Sequence, residues 1–409
     1  MAHRSGTWTG DHALTGILYQ KYYKASSYVF FEVKNIRNER RVLEKILGIS
    51  VSVVLVASFI SMTAPPAAAF TGDCSDIAVR NFKGAVFVDK ILGKKEKSAL
   101  GTASSSYVSE HLGYMKMHGI NFVRIPYYWE AYVNNPTEFM KELEHIAKAA
   151  NSRGMCLVFS NFHYYTSSYW NLDVHGKSSG RGFPSFVVDD FPKRNNDYED
   201  TAGPFWNAFL SNNIWVKGQK VWAAQWDFMA KVINKVKGYN SVAGFEILNE
   251  PHLFKKEQYE KLGNYHTYMA KKIRSITDKK IFFDRETTRG IPREPSLEHK
   301  IVPDGVSRLV YSPQLYAVPT SGSVGLKQIN NFEDWSNSWK TEVLITEWAA
   351  DTKWEATTFL KAFKNNGFGW TYYAWRSSGG GLGGSLYDSD SSSPTSDLLD
   401  LKAAVQAVY

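Results

Sequence analysis

The chain has 409 residues, of which 44% are hydrophobic and 15% aromatic, and its formal net charge is +8. This composition is sufficient for a large buried core and excludes a disordered or fibrous protein. Residues 1–69 hold eight basic and four acidic residues, so the other 340 residues carry only 8 − 4 = +4, without a basic run. We therefore expect no nucleic-acid partner.

The first 69 residues have the pattern of an export signal. A basic stretch, "KNIRNERRVLEK", precedes the uncharged run of residues 46–62, and "TAPPAAA" follows it. This order predicts a signal peptide with cleavage after Ala69. The alternative is membrane attachment through an uncleaved anchor formed by residues 46–62. Both alternatives place residues 70–409 outside the cytoplasm, and we expect a secreted protein.

From about residue 78 the sequence alternates short apolar runs with longer helical patterns. The predicted strands are, in chain order, "KGAVFVD", "INFVRIPYYW", "MCLVFSNFH", "VAGFEILNE", "KIFFDRE", "RLVYSPQLY", "VLITEWA" and "GFGWTYYAW". Between them, segments such as 137–154 and 220–238 repeat apolar residues at intervals of three and four and end in Lys, Arg or Gly, as helices do. Eight strands alternating with helices predict an α/β fold, a single (β/α)8 TIM barrel over residues 70–409, preceded by the signal or anchor segment.

The chain contains two cysteines, Cys74 and Cys156. Cys156 lies in an apolar strand-like run, and two cysteines do not indicate a disulfide framework. We therefore expect Cys156 to be a buried unpaired thiol, although a pairing with Cys74 depends on a distance that the sequence does not provide.

Several predicted strands end in polar or aromatic residues. These residues are Arg124, His163, Asn249 with Glu250, Gln314 with Tyr316, Glu347 and Trp375. In a TIM barrel the C-terminal strand ends meet at one face, where active sites lie. Any one of these residues alone could be a satisfied buried group. Six such positions at one face predict a functional site.

Glu250 and Glu347 end the fourth and seventh predicted strands, which face each other across a barrel mouth. A pair of carboxyl groups flanking one bond is what glycoside hydrolysis requires. One must be protonated to assist the leaving oxygen, and the other must be ionised to attack or to activate water. Asn249, beside Glu250, can donate a hydrogen bond to a sugar hydroxyl.

The motifs "NFVRIP", "LNEP" and "ITEW", together with Trp375, resemble glycoside hydrolase family 5, the endo-β-1,4-glucanase (cellulase) family, over about residues 80–376. The resemblance implies a retaining mechanism with Glu250 as acid/base and Glu347 as nucleophile, and carboxyl groups about 5 to 5.5 Å apart. It implies that Arg124 keeps the nucleophile ionised. It also implies substrate contacts for His163, Tyr316 and Trp375.

Two positions depart from the family pattern. Gln314 stands where the family usually has a His, and Asn161 stands where an Asp is common. Gln can donate and accept hydrogen bonds but cannot titrate. These changes bear on substrate preference and pH optimum more than on the reaction.

Residues 164–217 form a long connection with twelve aromatic residues. Flat rings at a barrel mouth suit stacking on pyranose faces, and we expect about half of these to be structural instead. The candidates are Tyr164, Tyr165, Tyr169, Trp170, Trp206 and Trp215. Of these, Trp170 is predicted to contact the substrate. Trp348, directly after Glu347, is a further predicted substrate contact, although a Trp at this position could instead pack in the core.

The resulting hypothesis is an exported endo-β-1,4-glucanase that acts as a monomer. A β-mannanase and a glycolipid-cleaving enzyme are alternatives of the same chemistry, and a barrel that binds carbohydrate without cleaving it is an alternative of another class. No metal or cofactor is expected, because His163 and His252 lack partners at ligand spacing. The glycines of "SSGGGLGGS" (377–385) do not have the spacing of a phosphate-binding loop and predict a rim loop.

Overall fold

The computed structural model describes residues 72–87, 105–163, 182–191, 198–284, 299–315, 322–350, 352–375, 386 and 394–409. All of these residues belong to the second of two units into which the chain divides, Ala64–Tyr409. No helix within these ranges is long and apolar enough to cross a membrane. The predicted signal or anchor segment lies outside them and stays a prediction.

Eight parallel strands form a closed barrel. They are β1 (Lys83–Val86), β2 (Phe122–Tyr127), β3 (Cys156–Asn161), β4 (Val242–Glu246), β5 (Lys280–Phe283), β6 (Leu309–Tyr311), β7 (Glu342–Trp348) and β8 (Gly369–Tyr372). Each strand pairs with the next in chain order, and β8 pairs with β1 to close the sheet. A two-residue extension, Gln314–Leu315, prolongs the β6 side and pairs with the end of β7. The predicted (β/α)8 barrel is confirmed.

Ten helices are described. They are α1 (Ser105–Met117), α2 (Trp129–Asn134), α3 (Pro136–Arg153), α4 (Ser185–Val188), α5 (Tyr198–Leu210), α6 (Val221–Val236), α7 (Gln258–Arg274), α8 (Gly322–Trp339), α9 (Lys353–Asn365) and α10 (Ser396–Val408). A short hairpin, Trp215–Val216 with Gln219–Lys220, precedes α6. Local sequence explains their ends: in α3, Asn135 caps the Glu138 N–H, Pro136 occupies the first turn, and Gly154 ends the helix at a φ of 63°.

The strands are buried on both faces, as parallel strands covered by helices must be. All six residues of β2 and of β3 are buried. One apolar cluster fills the layer between strands and helices. A second cluster collects side chains from six strands and the N-terminal turns, and its members include Phe82, Phe122, Val158, Phe282 and Leu344. Apolar packing therefore positions the strands whose C-terminal ends carry polar residues.

The expectation of an unpaired Cys156 is wrong. Cys74 and Cys156 form a disulfide, with their Cα atoms 5.6 Å apart. The turn Cys74–Asp76 is held near the sheet because the Cys74 N–H donates to the Asn240 carbonyl at 2.8 Å. Cys156, the first residue of β3, is buried as expected. The pair is 82 residues apart in sequence, so only the folding of the N-terminal segment onto the barrel brings the two sulfur atoms together.

Candidate active site

Arg124 of β2 connects three side chains from other strands. Its Nε donates to Glu246 Oε2 at 2.7 Å, its Nη1 to Glu347 Oε1 at 2.5 Å, and its Nη2 to Asn249 Oδ1. The guanidinium is fully buried. Burial opposes its charge, but Glu246 and Glu347 raise the pKa of Arg124 above its ordinary value. A fixed cation therefore faces the carboxylate at the end of β7, through hydrogen bonds of the strong charge-assisted kind.

Glu250 lies just beyond β4 in an unusual backbone conformation. Its φ is 45°, in the left-handed region that costs a residue with a side chain about 1 to 2 kcal/mol. The Glu250 N–H donates to Asp284 Oδ2 at 2.9 Å, and the preceding N–H, that of Asn249, donates to the Asn161 carbonyl at 2.9 Å. Contacts from the ends of β3 and β5 thus hold this backbone in place. The Glu250 side chain is half-buried.

The Asn249 amide has a defined orientation. Its Oδ1 accepts hydrogen bonds from Arg124 Nη2 and from Gln314 Nε2, the latter at 3.0 Å. Since both partners are donors, the oxygen must face them and Nδ2 must point elsewhere. The buried Nδ2 has no hydrogen-bond partner among the residues that the structure describes. Gln314, the departure from the family pattern, is therefore part of the network around Asn249.

His163 follows β3 and is buried. Its ring lies 6.0 Å from that of His252 and 5.0 Å from that of Trp206. Burial, and then the nearby His252, lower the pKa of His163 to about 3, against the raising effect of hydrogen bonds with the backbone of Asn249 and Glu250. At neutral pH His163 is a neutral ring next to the Glu250 backbone. His252 is buried beside it.

Two carboxyl groups of the site were not predicted. Glu246 of β4 is fully buried, pairs with Arg124, and accepts a hydrogen bond from Ser312 Oγ at 3.4 Å. Asp284, directly after β5, is 1% exposed. Burial, and then the charge of Glu246, raise the pKa of Asp284 well above its ordinary value, against the lowering effect of the Glu250 N–H. These surroundings therefore favour the protonated form of Asp284.

The signals for both residues were present in the sequence. Asp284 is the first polar residue after "KIFF", so the rule that strand ends converge applied to it as well. Glu246 is a single charge inside the apolar run "VAGFEIL". A buried charge of this kind needs a partner of opposite sign, which the buried Arg124 supplies.

The predicted aromatic contacts fall into different environments. Trp375, beyond β8, is buried, and its Nε1 donates to His111 Nδ1 of α1 at 3.0 Å. The Trp348 ring is buried, 5.4 Å from that of Phe363 in α9 and 5.0 Å from that of Tyr372 in β8. This position between strand and helix favours the packing role for Trp348 over a sugar contact.

Two aromatic residues of the long connection after β3 can be located. Trp206 of α5 is fully buried and packs against His163 and Phe209, which is a structural role. Trp215 in the short hairpin is 65% exposed, and Lys220 Nζ lies 4.5 Å from the centre of its ring. The hairpin directly precedes α6, whose start lies at the C-terminal face of the barrel because the helix must run back before β4. Trp215 therefore belongs to the catalytic face.

Some predicted site residues and the predicted rim loop fall outside the described ranges. They are Tyr164, Tyr165, Tyr169, Trp170, Tyr316 and the loop 377–385. Their roles stay predictions.

Comparisons with known proteins agree with this fold. Among solved structures, endo-glycoceramidase II from Rhodococcus sp. in a cellobiose-like imidazole complex is similar with a TM-score of 0.62 and 16% identity, covering 81% of this chain and 80% of that one. An endo-β-1,4-glucanase from Xanthomonas axonopodis pv. citri is similar with a TM-score of 0.54 and 15% identity, covering 80% and 99%. At such identities the similarity shows the fold alone. No protein with a curated description matches significantly.

A family comparison goes further than the fold. Residues 105–379 match the model of the family described as cellulase, glycosyl hydrolase family 5. The match spans more than half of the chain and includes Arg124, His163, Asn249, Glu250 and Glu347. The protein is therefore a glycoside hydrolase and belongs to glycosyl hydrolase family 5.

Proposed function

We propose that the protein is a retaining, endo-acting β-1,4-glucanase in which Glu347 is the nucleophile and Glu250 the general acid/base. The observation that carries this proposal is the buried contact of 2.5 Å between Arg124 Nη1 and Glu347 Oε1. A guanidinium held against a carboxylate favours its ionised form, which is the form that attacks.

The first step forms a covalent intermediate. One Glu347 oxygen attacks the anomeric carbon, the bond from that carbon to the glycosidic oxygen breaks, and the departing oxygen takes the proton of Glu250. In the second step Glu250 accepts a proton from water, the water oxygen attacks the same carbon, and the bond to Glu347 breaks. Glu250 must reach both the substrate and water, which its half-buried position permits.

Asn249 supports recognition of the sugar. Its Oδ1 is occupied by Arg124 and Gln314, while Nδ2 has no partner in the described part of the chain. An amide nitrogen fixed in this way can donate to a hydroxyl next to the reacting carbon. Such a contact strengthens when that hydroxyl becomes more polarised in the transition state.

A glycolipid-cleaving activity is the second candidate. The similarity to endo-glycoceramidase II structures has TM-scores of 0.60 to 0.62, against 0.52 and 0.54 for two endoglucanases. The exposed Trp215 beside Lys220 suits a sugar ring but also an interface with lipid.

Initial rates on carboxymethylcellulose, mannan and a glycosylated ceramide separate the substrates. Activity on the ceramide or on mannan with none on the glucan would refute the glucanase. On the substrate that is cleaved, NMR should show the β-anomer first; first release of the α-anomer would refute retention.

Substitution of the two acids tests the site itself. Glu250→Gln and Glu347→Gln should each abolish most of the turnover, whereas Glu342→Gln is the matched control. Glu342 begins β7 at the opposite end of the barrel, where it accepts the Val79 N–H at 2.7 Å and pairs with Lys280. Unchanged turnover in both active-site variants would refute the assignment.

We also propose export of the enzyme with cleavage after Ala69. The disulfide between Cys74 and Cys156 supports this, because disulfides form and persist in oxidising compartments. N-terminal sequencing of protein from the medium should begin at Phe70. A full-length form that stays with the membrane would favour the uncleaved anchor of residues 46–62 instead.

A further inference from the structure

Asp284 has no part in the reaction steps above, yet it is among the most thoroughly buried polar groups of the site. Its Oδ2 accepts the Glu250 N–H at 2.9 Å, and Gln314 Nε2 lies 3.5 Å from the same oxygen. The Asp284 side chain thus connects Gln314 with the backbone of Glu250, the proposed acid/base.

The backbone of Glu250 needs such a contact. With a φ of 45°, Glu250 occupies a conformation that persists only where the surroundings enforce it. The N–H of Asn249 is held by Asn161, and the N–H of Glu250 is held by Asp284. Loss of the Asp284 contact would weaken the hold on the Glu250 backbone, so the Glu250 carboxyl could move relative to the substrate.

The charges around Asp284 indicate the form in which it acts. Arg124 from β2 pairs with both Glu246 and Glu347. With both carboxyl groups ionised, these three side chains carry a net charge of +1 − 2 = −1. Glu250 also faces Asp284, and Gln314 from the β6 side is neutral. A further ionised carboxyl in this buried set would be costly. A neutral carboxylic acid can still accept the Glu250 N–H through its carbonyl oxygen.

We propose that Asp284 is a positioning residue for the acid/base, and that it acts as a neutral hydrogen-bonding group, oriented by Gln314, that fixes the backbone of Glu250. This inference rests on the proposed role of Glu250. Two consequences follow: an amide at position 284 should replace the acid, and loss of the acceptor should impair proton donation to the leaving group more than any other part of the reaction.

The test uses leaving groups that differ in their need for a proton. The substrates are phenyl and 2,4-dinitrophenyl β-cellobiosides, or the corresponding β-lactosides if wild type hydrolyses those faster. A dinitrophenolate departs without protonation, whereas a phenolate is assisted by the acid. The variants are Asp284→Ala, which removes the acceptor, and Asp284→Asn, which retains an oxygen at the same place. Glu342→Gln is the control for loss of a carboxylate at the opposite end of the barrel, far from the site.

For Asp284→Ala we expect kcat/KM on the phenyl glycoside to fall on the order of 100-fold and on the dinitrophenyl glycoside less than about 3-fold. Asp284→Asn should stay within about 5-fold of wild type on both, because its amide oxygen accepts the same N–H. Equal losses on both substrates, no loss in Asp284→Ala, or an Asn variant as impaired as the Ala variant would overturn the inference. If Asp284→Ala does not fold, Gln314→Ala must show the same dependence on leaving group at smaller size, and its absence would equally overturn the inference.

Glu250→Gln in the same assay separates this inference from the proposed function. Retained hydrolysis of the phenyl glycoside in Glu250→Gln would refute the acid/base assignment, and the inference with it. Leaving-group dependence in Glu250→Gln without any in Asp284→Ala would refute only the positioning role.

Discussion

Replacement of Arg124 by Lys should separate the role of its charge from the role of its geometry. Arg124 makes hydrogen bonds to Glu246, Glu347 and Asn249 through three different nitrogens. A lysine keeps the charge but has a single ammonium group, which can satisfy one of these acceptors well. Two contacts to charged or polarised groups are then lost, at about 1.5 to 3 kcal/mol each, or about 3 to 6 kcal/mol together.

If the two lost hydrogen bonds stabilise the transition state in the wild type, kcat/KM of Arg124→Lys falls by about 10²- to 10⁴-fold. Because one ammonium group must serve three acceptors, the Glu347 carboxylate also loses part of the hydrogen bonding that favours its ionised form. The acid limb of the pH profile of kcat/KM should therefore move to higher pH, since more alkaline solution is needed to ionise the nucleophile.

The assay is kcat/KM on a soluble substrate from acid to alkaline pH, with thermal unfolding measured in parallel. Arg308→Lys is the matched control: Arg308 precedes β6 at the opposite end of the barrel, where its Nη2 contacts Asp76 Oδ1 at 2.8 Å. It should change stability slightly and leave the pH profile in place. An Arg124→Lys enzyme with nearly wild-type kcat/KM and an unmoved acid limb would refute the argument that the Arg124 guanidinium keeps Glu347 ionised.

Three further predictions concern stability and the catalytic face. Burial lowers the pKa of His266 to about 4 from 6.5, so the unfolded chain binds more protons as the pH falls below the unfolded value. The free energy of unfolding of the wild type should therefore fall by about 2 kcal/mol between about pH 6.5 and 5. Thermal melts of wild type and His266→Gln over this range measure the loss, and an equal acid sensitivity of the two proteins would contradict the prediction. The double replacement Cys74→Ser/Cys156→Ser opens a loop of 82 residues and should lower the free energy of unfolding by about 4 kcal/mol in urea titrations, with kcat little changed; indifference of wild type to reductant would count against it. Trp215→Ala should raise KM for a polymeric glucan by about 2- to 10-fold, and by less for a short aryl glycoside; equal KM values for wild type and variant on the polymer would remove Trp215 from the substrate site.

The order of strands and helices could be predicted because it is encoded locally. Apolar runs of strand length and apolar residues at intervals of three and four are properties of short segments, and eight repetitions of this alternation specify the barrel class. The same holds for Glu250 and Glu347. Each ends an apolar run, and the barrel rule then places both at one face without any distance being known.

The partners within that face depend on closure of the barrel. Arg124 and Glu347 are 223 residues apart in sequence and meet only because β2 and β7 belong to one closed sheet. Glu250 and Asp284 meet because β4 and β5 are neighbours, and the left-handed backbone of Glu250 aims its N–H at the acid.

The sequence by itself determined the family, the barrel and the placement of Glu250 and Glu347 at strand ends, since these depend on the order of residue types along the chain. Only the tertiary structure decided that Cys74 joins Cys156, that Trp348 packs under α9, and that Asp284 is buried beside Glu250. Pairing, burial and protonation depend on which atoms of distant segments come within a few ångströms of one another, and no local pattern of residue types contains those distances.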